Sequence, residues 1–328
     1  MKIPAGDIDF FGVGELLVDF ISTEETDWLL NAFTFRKFQG GSPANIAVNV
    51  AKLGGTSALS AKTGIGAMGQ FLKAELQRAG VCCDYLVMDH RVNTSGVFVS
   101  RSTRTADSEA FRSGDYQLAP EEISTEAIER SRVVHASTWA LSREPCRSAV
   151  RRAFEIAAEH GKIISLDPNY NPSIWPQFRE ARRVIDEMLD FATLVKGSLD
   201  DARRIFGRNK KPEWYIERLH EFGPRIVVFT MGADGVLLSR DGGLTHIPAH
   251  PVDVADATGA GDAFWAGFVT ALLEGASLER CTLFARDVVE RKLRIVGPLP
   301  DELDRDEIWA AVERAGTVIP VPPQRDDG

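Results

Sequence analysis

Residues 256–267 read DATGAGDAFWAG: an acid, a Gly-Ala-Gly turn, a second acid, then small and apolar residues that read as the start of a buried helix. The turn at 259–261 predicts a helix N-terminus whose first backbone N–H groups lack intrahelical acceptors. With the helix dipole these groups form an anion site that needs no lysine. Asp262 falls in the first turn, where the dipole lowers a carboxylate pKa and keeps it ionised. Such an acid is either a helix cap or, in phosphoryl transfer, the group that accepts a hydroxyl proton late in a loose transition state. The short pattern Gly-x-Gly-Asp does not by itself choose between them.

Outward from this stretch, short apolar runs alternate with helical segments along most of the chain: DFFGVG, SALSAKTGIG, RVVHAST, KIISLDPN, ATLVKGS and RIVVFTMG. Ala149, Ala153, Ile156 and Ala157, and again Val184, Ile185, Met188 and Leu189, recur at helical spacing between them. The alternation predicts an α/β fold, a doubly wound and mostly parallel sheet covered by helices on both faces. Ligands of such sheets gather beyond the carboxyl ends of the strands. The polar and Gly-rich residues sit at those ends: Gly12, Gly14, Gly64, Gly66, Ser137, Asp167, Asn169, Lys196, Thr230 and Gly232. Turn chemistry alone would also put Gly, Asn and Asp there.

Two segments break the alternation, 15–40 and 92–112, with period-2 patterning and, in the second, a turn at Thr103–Asp107. They predict a small β lid over a core made of 1–14, 41–91 and 113–328. The tail from 318, VIPVPPQRDDG, is proline-rich, then charged, and reads as fraying.

Lys and Arg number 38 against 47 Asp and Glu, so the net charge of −9 has the wrong sign for holding nucleic acid. An anionic ligand must therefore be bound by local features. Hydrophobic residues at 44% supply a buried core. Cys82, Cys83, Cys146 and Cys281 have neither metal-ligand spacing nor the look of a disulfide framework. Asp7, Asp9 and Glu15 interrupt the N-terminal apolar run, which therefore does not read as a signal peptide, and no later run has the length of a membrane span. The expectation is a cytoplasmic protein.

In GGSPANIAVNVAKLGG, residues 40–55, Ser42 is the predicted N-cap, Pro43 the first helical residue and Gly54-Gly55 the stop. Gly40 and Gly41 let a ligand approach the backbone, and the Asn45 amide in the first turn either points at a polyol or bonds nearby backbone.

This segment and DATGAGDAFWAGF, in this order and separation, resemble the paired signatures of the ribokinase-like (PfkB) sugar kinases, a resemblance running from about residue 8 to about residue 300. It implies that Asp262 is the catalytic base, with Gly259, Ala260 and Gly261 as the anion hole, and that Asp19, Gly40, Gly41 and Asn45 face the sugar. VVFTMGADG resembles the family's nucleotide loop, which puts Thr230, Gly232 and Gly235 near ATP, with Lys196 on the same side. Asp256 falls where related kinases often hold a monovalent cation, between its own loop and one near Ile295–Gly297. The implied cofactors are ATP and Mg²⁺, with K⁺ as a third candidate.

GELLVDF, FRSGDYQL, LDPNYNPSIW and VKGSLDDARRIFG look like bacterial fructokinases and add Arg112 and Asn169 as ligand contacts; a surface charge and an Asx turn are the plain alternatives, and Trp175 reads as core. Three departures stand out. Ser198–Asp201 replaces an Asn-x-x-Glu pattern that supports magnesium, Ala257 replaces a threonine, and Arg286, Glu290 and Arg291 replace small residues on the adenine side, which bears on nucleotide affinity and choice. The expectation is an ATP-dependent kinase of a ketose, fructose first. Its alternatives are a 2-keto-3-deoxygluconate or other sugar kinase of the same fold and a non-catalytic sugar sensor. The exposed lid edges suggest a homodimer.

Overall fold

Each apolar run becomes a strand in the computed structural model, which describes residues 1–102, 107–175, 177–301, 303–315 and 319–320. The strands are β1 (Ile8–Gly14), β2 (Leu17–Glu25), β3 (Phe35–Gly40), β4 (Ser57–Gly64), β5 (Leu86–Asp89), β6 (Gly96–Arg101), β7 (Ser108–Phe111), β8 (Ser131–Ser137), β9 (Ile163–Asp167), β10 (Leu194–Ser198), β11 (Ile226–Thr230), β12 (Val236–Arg240), β13 (Gly243–Ile247) and β14 (Ile319–Pro320). The main sheet has the order β14-β13-β12-β11-β10-β9-β8-β1-β4-β5. Neighbours from β5 to β11 run parallel, and β11 to β14 run antiparallel. The chain winds outward from β1 to β4 and β5, then returns to β8 on the other side of β1. That reversal opens a crevice at the carboxyl ends of β1 and β8.

Period-2 alternation divides the strand residues between two cores. Phe10, Val133, Leu194 and Val228 face helices Ser42–Lys52, Ala260–Leu273 and Leu278–Leu293. Their chain neighbours Phe11, Val134, Val195 and Val227 face helices Cys146–Glu159, Phe178–Leu189, Leu199–Phe206 and Pro212–His220. Helix Ala260–Leu273 is apolar all round and buried from Ala263 to Leu273. Trp265, fully buried, donates its Nε1 to Ser165 Oγ at 3.0 Å, so the helix that carries Asp262 in its first turn is pinned to the centre of the sheet.

The two segments that break the alternation form one small sheet, β3-β2-β6-β7. Each pairs internally as an antiparallel hairpin, and the parallel pairing of β2 with β6 joins them. One face carries Leu17, Ile21, Val97 and Val99. The other carries Phe20 stacked on Phe98 at 4.8 Å, with Phe35 and Phe111 set edge-on against Phe98. Of the expected turn at Thr103–Asp107 only Asp107 is among the described residues, and of the tail expected to fray only Ile319–Pro320, which pairs with β13 as β14. All four cysteines are free thiols. Among the described residues no helix is long and apolar enough to cross a membrane.

Gly267 lets helix Ala260–Leu273 close on helix Leu278–Leu293: a Cβ there would stand 3.0 Å from Ala285 Cα and 3.1 Å from Val288 Cγ2. Gly267→Val is therefore expected to cost about 2 kcal/mol by overpacking, read as a lower urea midpoint. An unchanged midpoint would show that the two helices can separate without loss.

Candidate active site

Asp262 stands in the first turn of its helix, behind Gly259, which caps the helix in the left-handed region at φ 73°. Its carboxylate reaches across to the start of the other long signature: Oδ1 accepts from Ser42 Oγ at 2.7 Å and Oδ2 from Asn45 Nδ2 at 2.8 Å. Asn45 Oδ1 in turn accepts from Gln39 Nε2 at 3.0 Å, at the edge of the small sheet. The Asn45 amide thus spans two side chains instead of bonding backbone. Two expectations change here. The cap of helix Ser42–Lys52 is Gly41, at φ 99°, and the Ser42 side chain makes no capping bond, because its hydroxyl is engaged by Asp262. The Asp262 carboxyl is also not lowered below its ordinary range, contrary to what the helix start predicts. Loss of water in the cleft pushes it up to about 6, against the hydrogen bonds of Asn45 and Ser42 and the charge of Lys196.

Glu15, which the sequence reading passed over, lies at the crevice between β1 and β8. It is buried, and its Oε1 accepts from Ser42 N at 3.0 Å and Ser137 Oγ at 2.8 Å. Its other oxygen has no partner, and burial pushes the carboxyl up to about 8, against those hydrogen bonds. Gly41 owes its glycine to this acid, since a Cβ there would stand 3.0 Å from the Glu15 carbonyl carbon, in a φ region that side chains avoid. Asp19 projects from β2 over Gly40, where any Cβ would overlap its carboxylate. Burial, and then the charges of Asp262 and Asp256, push Asp19 up to about 7. Asp19, Asn45, Gly259, Thr258 and Phe38 line one cleft between sheet and core, which holds about 40 Å³ of free space, room for little more than a water molecule.

At the helix N-terminus, Ala260 N–H is used by Ala257 O at 3.2 Å. Among the described residues the N–H groups of Gly259, Gly261 and Asp262 find no acceptor. The unpaired donors are therefore Gly259, Gly261 and Asp262, with Ala260 of the expected 259–261 set engaged. A lysine stands beside them: Lys196 Nζ would lie 2.8 Å from a Cβ at Gly261. Lys196 is buried and donates to Asp167 Oδ2 at 2.8 Å; Asp167 Oδ1 has no partner. Burial alone would lower the Lys196 pKa, but the Asp167 carboxylate, together with the charges of Asp201 and Asp262, raises it.

Thr230 ends β11 beside Ser198, its hydroxyl on Gly197 O at 3.2 Å, and Gly232 and Gly235 form the turn into β12. Ser198 caps helix Leu199–Phe206 and donates to Asp201 Oδ2 at 2.5 Å. Burial, then the Asp167 charge, pushes Asp201 up to about 6. Arg286 and Glu290 are buried clamps for the loop after β13: Arg286 donates to Pro248 O at 2.9 Å, and Glu290 accepts from His250 N at 3.1 Å and pairs with His250 Nδ1 at 3.0 Å. Arg291 ties down Asp287 and Glu307.

The two added ligand candidates are not among the residues that line this cleft. Arg112 is no surface charge: it bonds Asp115 and Ser142, each at 2.7 Å, and packs over Tyr116 and Trp139. Asn169 accepts from the Thr138 N–H and hydroxyl, both at 3.0 Å. Trp175 is buried in the second core.

Comparison with known proteins agrees with this geometry. The profile of the pfkB family carbohydrate kinases matches residues 9–288. An ATP-dependent 6-phosphofructokinase of Thermoanaerobacterium thermosaccharolyticum is 35% identical over 92% of each chain. The fructokinase of Halothermothrix orenii is 37% identical, with a TM-score of 0.75 over 90% of this chain and 100% of its own. A Vibrio cholerae O395 fructokinase, in a fructose-, ADP- and potassium-bound form, shares the fold at 24% identity, with a TM-score of 0.82 over 94% of this chain and 100% of its own. The chain belongs to the pfkB family of carbohydrate kinases, phosphotransferases that act on a sugar hydroxyl.

Proposed function

We propose that the chain is an ATP-dependent kinase of a primary hydroxyl of a ketose, with fructose as the first choice. The observation that carries this reading is the Asp262 carboxylate, oriented by Ser42 and Asn45, beside unpaired N–H groups and Lys196. Asp262 is the base: it accepts the hydroxyl proton as the sugar oxygen attacks the γ-phosphorus. The N–H groups of Gly261 and Asp262, with the Lys196 ammonium, meet the charge on the transferred phosphoryl. Asp19, Gly40, Gly41 and Asn45 hold the sugar. Asp19, titrating near about 7, both accepts and donates to its hydroxyls at neutral pH. Thr230, Gly232 and Gly235 hold the nucleotide. Asp167, with its unpartnered oxygen, and Asp201 are the carboxylates that would hold magnesium, which would neutralise phosphate charge when bound with ATP. The narrow cleft supports a sheet that must open to admit the sugar and closes to exclude water. A cytoplasmic location suits the use of ATP as co-substrate.

An uncharged sugar suits the cleft best. Among the described residues lining it, Lys292 is the one cation, and it faces Asp256. Arg112 already faces Asp115. A sugar acid, or the phosphorylated acceptor of the Thermoanaerobacterium enzyme, would bring an anion that meets no uncommitted partner. The aromatic face of the small sheet, with Phe111 59% exposed, suits a second copy of the chain, in line with its open edges.

Asp262→Asn is expected to fold with sugar affinity little changed and kcat below about a hundredth of wild type. Retention of a tenth or more removes the base assignment. As an acid that must be ionised to act, Asp262 gives kcat/KM an acid limb: full above about 6 and falling with each unit below. An ADP-release assay across fructose, fructose 6-phosphate, 2-keto-3-deoxygluconate and ribose should favour fructose; preference for either anionic sugar contradicts the neutral cleft. Light scattering should give twice the chain mass for wild type and one chain for Phe111→Asp, with equal unfolding midpoints. A monomeric wild type removes the partner.

A further inference from the structure

Lys292 sits at the end of helix Leu278–Leu293 with 2% of its surface exposed. Its Nζ lies 3.2 Å from Asp256 O, 3.5 Å from Ile295 O and 3.7 Å from Asp256 Oδ2. These oxygens come from the two loops between which the family resemblance puts a monovalent cation, one opening at Asp256 and one at 295–297. The fully buried Asp256 carboxylate also accepts Thr258 N–H at 2.9 Å through Oδ1 and Gly297 N–H at 3.1 Å through Oδ2. Two carbonyls and a carboxylate converging on one point make a donor set for a hard cation. Here that point is taken by the chain's own amine, which donates to the two carbonyls and pairs with the Asp256 carboxylate.

An added ion does not fit beside it. Lys292 already offsets the Asp256 charge, so a second cation would meet a like charge at contact distance in a buried place. We propose that Lys292 replaces the monovalent cation, tying the Asp256–Gly259 turn to the 295–297 loop by a tethered charge and making the protein independent of potassium. Asp256 leads within a few residues to Gly259, the cap whose helix presents the N–H groups of Gly261 and Asp262. The ammonium thereby holds the floor of the anion hole. Its effect on turnover rests on the kinase reading; its effect on ion binding does not.

The test uses the full chain in KCl, NaCl or choline chloride at equal ionic strength, with thermal unfolding and fructose phosphorylation as separate readouts. Wild type should unfold within about 1 °C in the three salts and turn over within about twofold. Lys292→Ala, which empties the place, should lose about tenfold or more of its turnover in choline chloride. It should regain turnover in KCl and acquire a potassium-specific rise in midpoint. Lys292→Met, which fills the place without charge, should stay low in every salt. Potassium-specific stabilisation or tenfold activation of wild type overturns the proposal, as does a Lys292→Ala protein no more responsive to potassium than wild type. If Lys292→Ala does not fold, the wild-type comparison decides. If no sugar is phosphorylated, the unfolding readout still decides, and the kinase reading alone fails.

Discussion

Two hydrogen bonds to one carboxylate, from Ser42 Oγ and Asn45 Nδ2 to Asp262, join helix N-termini that are more than two hundred residues apart in sequence. Charge-assisted bonds of this kind contribute about 1.5–3 kcal/mol each and fix direction as well as distance. Around them the rest of the site takes position. Gln39 hangs from Asn45 and ties in the small sheet, Glu15 holds the Ser42 backbone, and Trp265 anchors the Asp262 helix to the centre of the main sheet. Both signature helices pack side by side on one face of the main sheet, which lets one side chain touch both signatures.

The electrostatics follow from that convergence. Glu15, Asp19, Asp256 and Asp262 gather where water is scarce, and burial raises three of them well above the ordinary carboxylate range. A chain with net charge −9 can nevertheless prepare an anion site, because the opposing charges are local. Lys196 stands against Gly261 and Lys292 against Asp256, each on the side of the turn where negative charge must be met. Helix N–H groups add to this without net charge.

Much of this was legible in the sequence. Alternation of apolar runs and helical spacing specified the doubly wound sheet, and broken alternation at 15–40 and 92–112 marked the small sheet. Gly40, Asn45, Asp19, Gly259 and Asp262 were found by motif, and they do meet in one place. What escaped was set by contacts across the fold. Ser42 looked like a cap because a cap is a local property, whereas its partner lies in another helix. The dipole predicted a lowered Asp262 pKa, whereas desolvation, visible only after folding, raises it. Glu15 and Lys292 carried no local signal: one hides behind an apolar strand and the other in a charged helix end. Arg286, Glu290 and Arg291 looked like misplaced charges until their partners in the 248–250 loop and at Asp287 and Glu307 were in view.

In the proposed reaction, folding turns Asp262 from an ordinary carboxylic acid at a helix start into a base usable near neutral pH. Carbon-13 NMR of labelled aspartate carboxyls in the free protein, with the Asp262 signal assigned by its loss in Asp262→Asn, measures this directly. The account requires titration near about 6. Titration below about 4, as expected for a solvated first-turn carboxylate, would contradict it.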